Sequence, residues 1–135
     1  MMGEVAESPT VSSSLRILVV EDDRICQKLA TAVLERSGHI VTIAENGRAA
    51  VKQVEVTSFD LILMDVMMPE MDGLEATRII RRREKETGAR VVPIVAVTAA
   101  SDRESCLAAG MDEFIAKPIR SGELAATIER VLVLP

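Results

Sequence analysis

Leu15-Arg16-Ile17-Leu18-Val19-Val20-Glu21-Asp22-Asp23 is an apolar run that stops abruptly at three acids. The run 15–20 is interrupted only by Arg16 and is rich in β-branched side chains, as a parallel strand buried on both faces requires. A helix should follow. Asp22 or Asp23 can cap its N-terminus, Ile25, Leu29, Ala32 and Val33 recur at helical spacing, and Gly38 is placed to end it in the left-handed conformation. Outward from this unit the pattern repeats: Ile40–Ala44 reads as a second strand, Asn46-Gly47 as a turn and 48–56 as a second helix. Residues 60–64 read as a third strand and 73–86 as a third helix ending near Gly88. Residues 91–97 form a fourth strand, with Pro93 suited to its start. Ser101-x-x-Glu104 is a capping box opening a fourth helix that stops at Gly110. Glu113–Ala116 is a fifth strand, and Ser121 caps a last helix to about Leu132.

This is an α/β, (βα)₅ chain. Regular alternation with buried strands implies a doubly wound, five-stranded parallel sheet with helices on both faces, because right-handed crossovers lay each helix over the sheet. In such sheets the functional crevice lies beyond the carboxyl ends of the strands. The residues there are Glu21-Asp22-Asp23, Ala44-Glu45, Asp65, Thr98 and Lys117.

Composition narrows the classes. The 135 residues, 48% hydrophobic, fit one compact domain over 15–135, after a polar segment 1–14 that carries Pro9 and Ser12-Ser13-Ser14 and reads as a disordered tail or linker. The net charge of -5 argues against direct nucleic-acid binding and against an anionic membrane surface, since both attract basic faces. The chain has neither a membrane-spanning stretch nor a secretory leader, so a cytoplasmic location is expected. Cys26 and Cys106 lack paired metal or disulfide spacing and read as small buried hydrophobes.

Strands one and three both end in carboxylates, which repel when close and raise one another's pKa values; a divalent cation is their natural complement. Oxygen ligands without histidine or thiolate suit Mg²⁺. With Thr98 and Lys117 the site gains a hydroxyl and an ammonium. A carboxylate nucleophile, a metal and a lysine are the parts that phosphoryl transfer needs.

Ile17-Leu18-Val19-Val20-Glu21-Asp22-Asp23, Leu61-Ile62-Leu63-Met64-Asp65-Val66-Met67-Met68-Pro69-Glu70-Met71-Asp72-Gly73, Val97-Thr98-Ala99 and Lys117-Pro118 come in the order and near the spacing of one family. Over residues 15–134 the chain resembles the receiver domain of two-component response regulators. The resemblance implies a flavodoxin-like sheet of strand order 2-1-3-4-5 and a phosphorelay receiver, a signalling phosphoacceptor and not an enzyme beyond assisting its own phosphorylation and dephosphorylation. Asp65 is then the phosphoacceptor. Glu21, Asp22, Asp65 and the Met67 backbone carbonyl hold Mg²⁺, and Lys117 pairs with the phosphoryl oxygens. Thr98 is the switch hydroxyl, Phe114 the aromatic that rotates in behind it, and Lys117-Pro118 a cis peptide, while small Ala99 leaves room for the donor. The implied partners are a histidine kinase or histidine phosphotransfer protein and a downstream partner of unknown identity. The switching face is helix 4, strand 5 and helix 5, through which receivers of this family can also form a homodimer.

Three departures have consequences. Glu21 stands where aspartate is commoner and Asp23 adds a third acid, so direct and water-mediated metal contacts can exchange roles. Phe114 replaces a tyrosine and lacks its hydroxyl. Met67 and Ala100, two residues past Asp65 and Thr98, cannot orient an attacking water, so a long-lived aspartyl phosphate is expected. Blander readings exist: Asp22 and Asp23 as helix caps, Lys117 as a surface lysine, Asn46-Gly47, Pro69 and Asp72-Gly73 as turns, and the charged run 78–86 as a solvated helix end. His39 lacks the surrounding helix of a phosphorylated histidine. Competing functions are a phosphorylation-independent pseudo-receiver and a Mg²⁺-dependent phosphohydrolase of the haloacid-dehalogenase type. The second needs another aspartate two residues after Asp65, where Met67 stands.

Overall fold

The computed structural model describes residues 14–99 and 103–133. Five strand-helix pairs follow one another: β1 Arg16–Val20, α1 Arg24–Arg36, β2 Ile40–Ala44, α2 Gly47–Val56, β3 Leu61–Asp65, α3 Gly73–Thr87, β4 Ile94–Thr98, α4 Arg103–Ala109, β5 Glu113–Ala116 and α5 Ser121–Val133. All four strand pairings are parallel and the sheet order is β2-β1-β3-β4-β5, as the resemblance to receiver domains implies.

Alternation along the strands divides the core into two layers. Leu18, Val20, Ile62, Met64, Ile94 and Ala96 face one side, where Ala50 of α2, Ala76 and Ile80 of α3 and Cys106 of α4 join them. Ile17, Val19, Leu61, Leu63, Val95, Val97 and Ile115 face the other, against Ala30 and Leu34 of α1 and Leu124 and Ile128 of α5. Neither buried Cys106 nor half-buried Cys26 is in a disulfide.

Several expectations are corrected. In α1 the inward stripe is Ala30, Val33 and Leu34; Ile25 and Leu29 are 76% and 41% exposed, and Ala32 is exposed too. Apolar spacing admitted two stripes, and the sheet takes the one with the small Ala30. Asn46-Gly47 is not a free turn: Asn46 caps α2 by accepting from the Ala49 N–H, and Gly47 lies inside the helix. A Cβ at Gly47 would stand 2.7 Å from the Met71 carbonyl oxygen. The third strand runs to Asp65, one residue beyond 60–64. The fourth starts at Ile94 because Pro93 has no N–H for the ladder, and it extends to Thr98. Ser121 is the first residue of α5, not its cap, since the Leu124 N–H already bonds the Arg120 carbonyl. The proposed cap Ser101 lies outside the described residues, as do residues 1–13.

The charged run in α3 is only partly solvated. Arg81, 18% exposed, donates to both Glu84 oxygens at 2.8 and 3.0 Å, to Asp112 Oδ2 at 2.9 Å and to the Gly110 carbonyl at 2.9 Å. Glu84 and Asp112 in turn accept from the N–H groups of Val92 and Ile94. Charge-assisted bonds therefore tie α3 to the starts of β4 and β5.

Ser14, expected in the tail, is tied to the domain by its Oγ, which donates to the Gly38 carbonyl, and the Leu15 N–H donates to His39 Nδ1 at 3.2 Å. Burial holds the His39 pKa below its usual 6.5. A protonated ring cannot accept on Nδ1, and the unfolded chain takes the proton more readily. Stability should therefore fall as pH drops below about 6.5. Urea denaturation between pH 8 and 5 is expected to show this decline in wild type and a shallower one in His39→Gln.

Candidate phosphoacceptor site

Glu21, Asp65 and Lys117 continue the alternation of β1, β3 and β5, so all three emerge on the α1/α5 side at the carboxyl end of the sheet. The ladders extend just far enough to fix them: the Glu21 N–H bonds the Ala44 carbonyl at 3.0 Å and the Lys117 N–H bonds the Thr98 carbonyl at 2.9 Å. Asp65 still pairs with Val97 inside the sheet. Gly73 lies against its backbone, where a Cβ would overlap the Asp65 carbonyl and stand 2.9 Å from Met64 Cγ. The loop between them turns through Glu70 at φ 68, and the Gly73 N–H closes it onto the Val66 carbonyl.

Carboxylate oxygens of Glu21, Asp22 and Asp65 all lie within 4.8 Å of one another. Asp65 is 2% exposed and Glu21 4%, while Asp22 is open to solvent. The Lys117 ammonium reaches Glu21 Oε1 at 3.1 Å and Asp65 Oδ2 at 3.3 Å. The other Asp65 oxygen accepts from the Met67 N–H at 3.2 Å, and Glu21 Oε2 accepts from the Asp23 N–H at 3.1 Å.

Burial pushes the Glu21 pKa up, and the Asp65 charge adds to this; the Asp23 N–H and Lys117 only partly offset it. Lys117 is pulled down by burial, yet its bond to Glu21 and the charges of Asp65 and Glu21 leave it above the usual lysine value. Asp23 is not part of the cluster: it caps α1 by accepting from the Cys26 N–H at 2.9 Å, which lowers its pKa. Asp23 is thus a helix cap, and Asp72, expected as a turn residue, caps α3.

Thr98 is 1% exposed at the end of β4, and Lys117-Pro118 is cis. Met67 is 69% exposed, and Phe114 sits one strand pair below the crevice, half-buried under α4. Sequence reading did not find Gln27, whose Nε2 donates to the Glu21 carbonyl at 2.7 Å, nor Arg103, whose guanidinium lies over the Phe114 ring. Neither has a sequence signal, because a polar residue on a helix acquires its partner only through tertiary packing. A hard-oxygen donor set with one solvent-facing carboxylate fits Mg²⁺, whose shell retains waters.

The model of the response regulator receiver domain family matches residues 17–129, and the chain belongs to that family. It is 42% identical to sensor protein GacS of Pseudomonas syringae pv. syringae over 89% of its own length, but spans only 14% of that protein. The receiver domain of sensor histidine kinase PA1611 from Pseudomonas aeruginosa, solved with a magnesium ion in its active-site cleft, superposes with TM-score 0.78 at 41% identity, covering 87% of this chain and 97% of that one. The receiver domain of Ssk1 from Saccharomyces cerevisiae, solved with the phosphotransfer protein Ypd1, gives TM-score 0.80 at 31% identity, covering 85% and 86%. No described helix is long and apolar enough to cross a membrane.

Replacing Lys117 by Met would leave two buried carboxylates without their cation. In metal-free buffer at pH 7 this should lower unfolding free energy by about 1–3 kcal/mol, less than for a fully buried pair because the lysine is partly hydrated. Adding Asp65→Asn to Lys117→Met should recover part of the loss; a urea midpoint series over the single and double variants measures both.

Proposed function

We propose that this receiver domain accepts a phosphoryl group on Asp65 from a phosphohistidine, carried by a histidine kinase or a histidine phosphotransfer protein. One observation supports this most: a nearly buried carboxylate at a strand end, held by Lys117 at 3.3 Å and by the Met67 N–H at 3.2 Å, with two further carboxylates alongside. Glu21, Asp22, Asp65 and the Met67 carbonyl are the groups that would hold Mg²⁺. Bound there, the ion would neutralise charge on the transferring phosphoryl oxygens.

In transfer, an Asp65 oxygen bonds to phosphorus as the phosphorus–nitrogen bond of the phosphohistidine breaks, and the imidazole leaves with that electron pair. Lys117 and the Met67 N–H fix the carboxylate in one orientation and accommodate the charge. Exposed Ala99 leaves the approach open. Thr98 then donates its hydroxyl to the phosphoryl group, Phe114 turns in behind it, and the α4-β5-α5 face alters its affinity for a downstream partner. Since the chain spans a small part of the kinases it matches, a receiver from a hybrid kinase working in the cytoplasm is the context we favour.

Intact mass after incubation with Mg²⁺ and phosphoramidate is expected to show one phosphoryl adduct, absent without the metal and absent in Asp65→Asn. A folded wild type without adduct would favour a phosphorylation-independent interaction module. The apolar Met67 and Ala100 cannot align water, so the adduct should persist for minutes or longer in purified protein; decay within seconds would refute that part.

A further inference from the structure

We infer that Arg103 is a positioning residue for the switch: its guanidinium, 5.3 Å from the Phe114 ring centroid, latches the ring outward and must let go when Asp65 is phosphorylated. The inference rests on the reading of Asp65, Thr98 and Phe114 proposed above.

Phe114 pairs with Ala96 across β4-β5, and one step nearer the crevice Thr98 pairs with Ala116. Alternation puts all four side chains on the α4 side of the sheet. Between ring and hydroxyl these two strands therefore contribute only alanines. A ring turned in beside Thr98, which is 1% exposed, would be buried, yet Phe114 is only half-buried. Burial of apolar area favours the inward position, so something must oppose it.

Arg103 opens α4 and is itself exposed, and the Phe114 ring is the partner it meets among the described residues. A cation in the first turn of a helix works against the macrodipole, and the negative face of an aromatic ring compensates it. The contact is lost when the ring swings toward Thr98, so the pair biases the domain toward its unphosphorylated form. For an exposed cation–π pair the bias is about two- to fivefold.

The chain holds two phenylalanines and neither tyrosine nor tryptophan. Protein labelled with 4-fluorophenylalanine therefore gives two ¹⁹F resonances, with buried Phe59 as internal reference. In Arg103→Gln the Phe114 resonance of the unphosphorylated domain should move toward its phosphorylated position. Phosphorylation by phosphoramidate with Mg²⁺ should be about two- to fivefold faster, and Arg103→Lys should restore much of the wild-type behaviour. The sign is decisive, because loss of a cation that merely attracted the anionic donor would slow the reaction. A phosphorylated wild type with Arg103→Gln unchanged or slower overturns the latch alone. A wild type that takes no phosphoryl group overturns the reading of Asp65, and the latch with it.

Discussion

The ammonium of Lys117, set between the carboxylates of Glu21 and Asp65, is the interaction on which the site depends. It links side chains that the sheet topology has already brought to the ends of β1, β3 and β5. Without it two acids of 4% and 2% exposure would face each other in a poorly hydrated crevice, and one would take up a proton. One ammonium compensates one of the three carboxylates. The remaining negative charge, with Asp22 facing solvent, leaves the cluster suited to a divalent cation.

Everything beneath serves to hold those few atoms still. Two apolar layers clamp the sheet, so side chains at the strand ends inherit the rigidity of buried backbone. At the opposite end the Arg81 network fastens α3 to β4 and β5 with charge-assisted bonds. The far end of α4 is thus anchored through the Gly110 carbonyl and Asp112, while its first residue, Arg103, lies over the Phe114 ring of β5. Such an arrangement suits a helix whose start responds to events at the crevice while its other end stays fixed.

Much of this could be read from the sequence, for definite reasons. Buried strands write themselves as apolar runs, so β2 and β5 were delimited as they stand and the order of elements followed. Glu21, Asp22, Asp65 and Lys117 were legible because each lies at the end of such a run, where topology alone brings them together. Strand ends lie a residue or more from their expected bounds where local chemistry decides them, as at Pro93. The inward face of α1 is not legible in the sequence, because Ile25 and Leu29 have the right spacing and lie on the wrong side. Gln27, Arg81 and Arg103 are illegible as partners, since each meets a residue outside its own helix, and periodicity reports only that helix's surface.

The most direct test of the account is to reduce the phosphorylated domain with borohydride and locate the product by peptide sequencing in a mass spectrometer. Reduction converts an aspartyl phosphate to homoserine, so the modified carboxylate identifies itself. Homoserine is expected at position 65 and at neither position 21 nor position 22. Homoserine at position 22, the corresponding reduced alcohol at position 21, or phosphoryl retained on a residue that borohydride leaves untouched would contradict it.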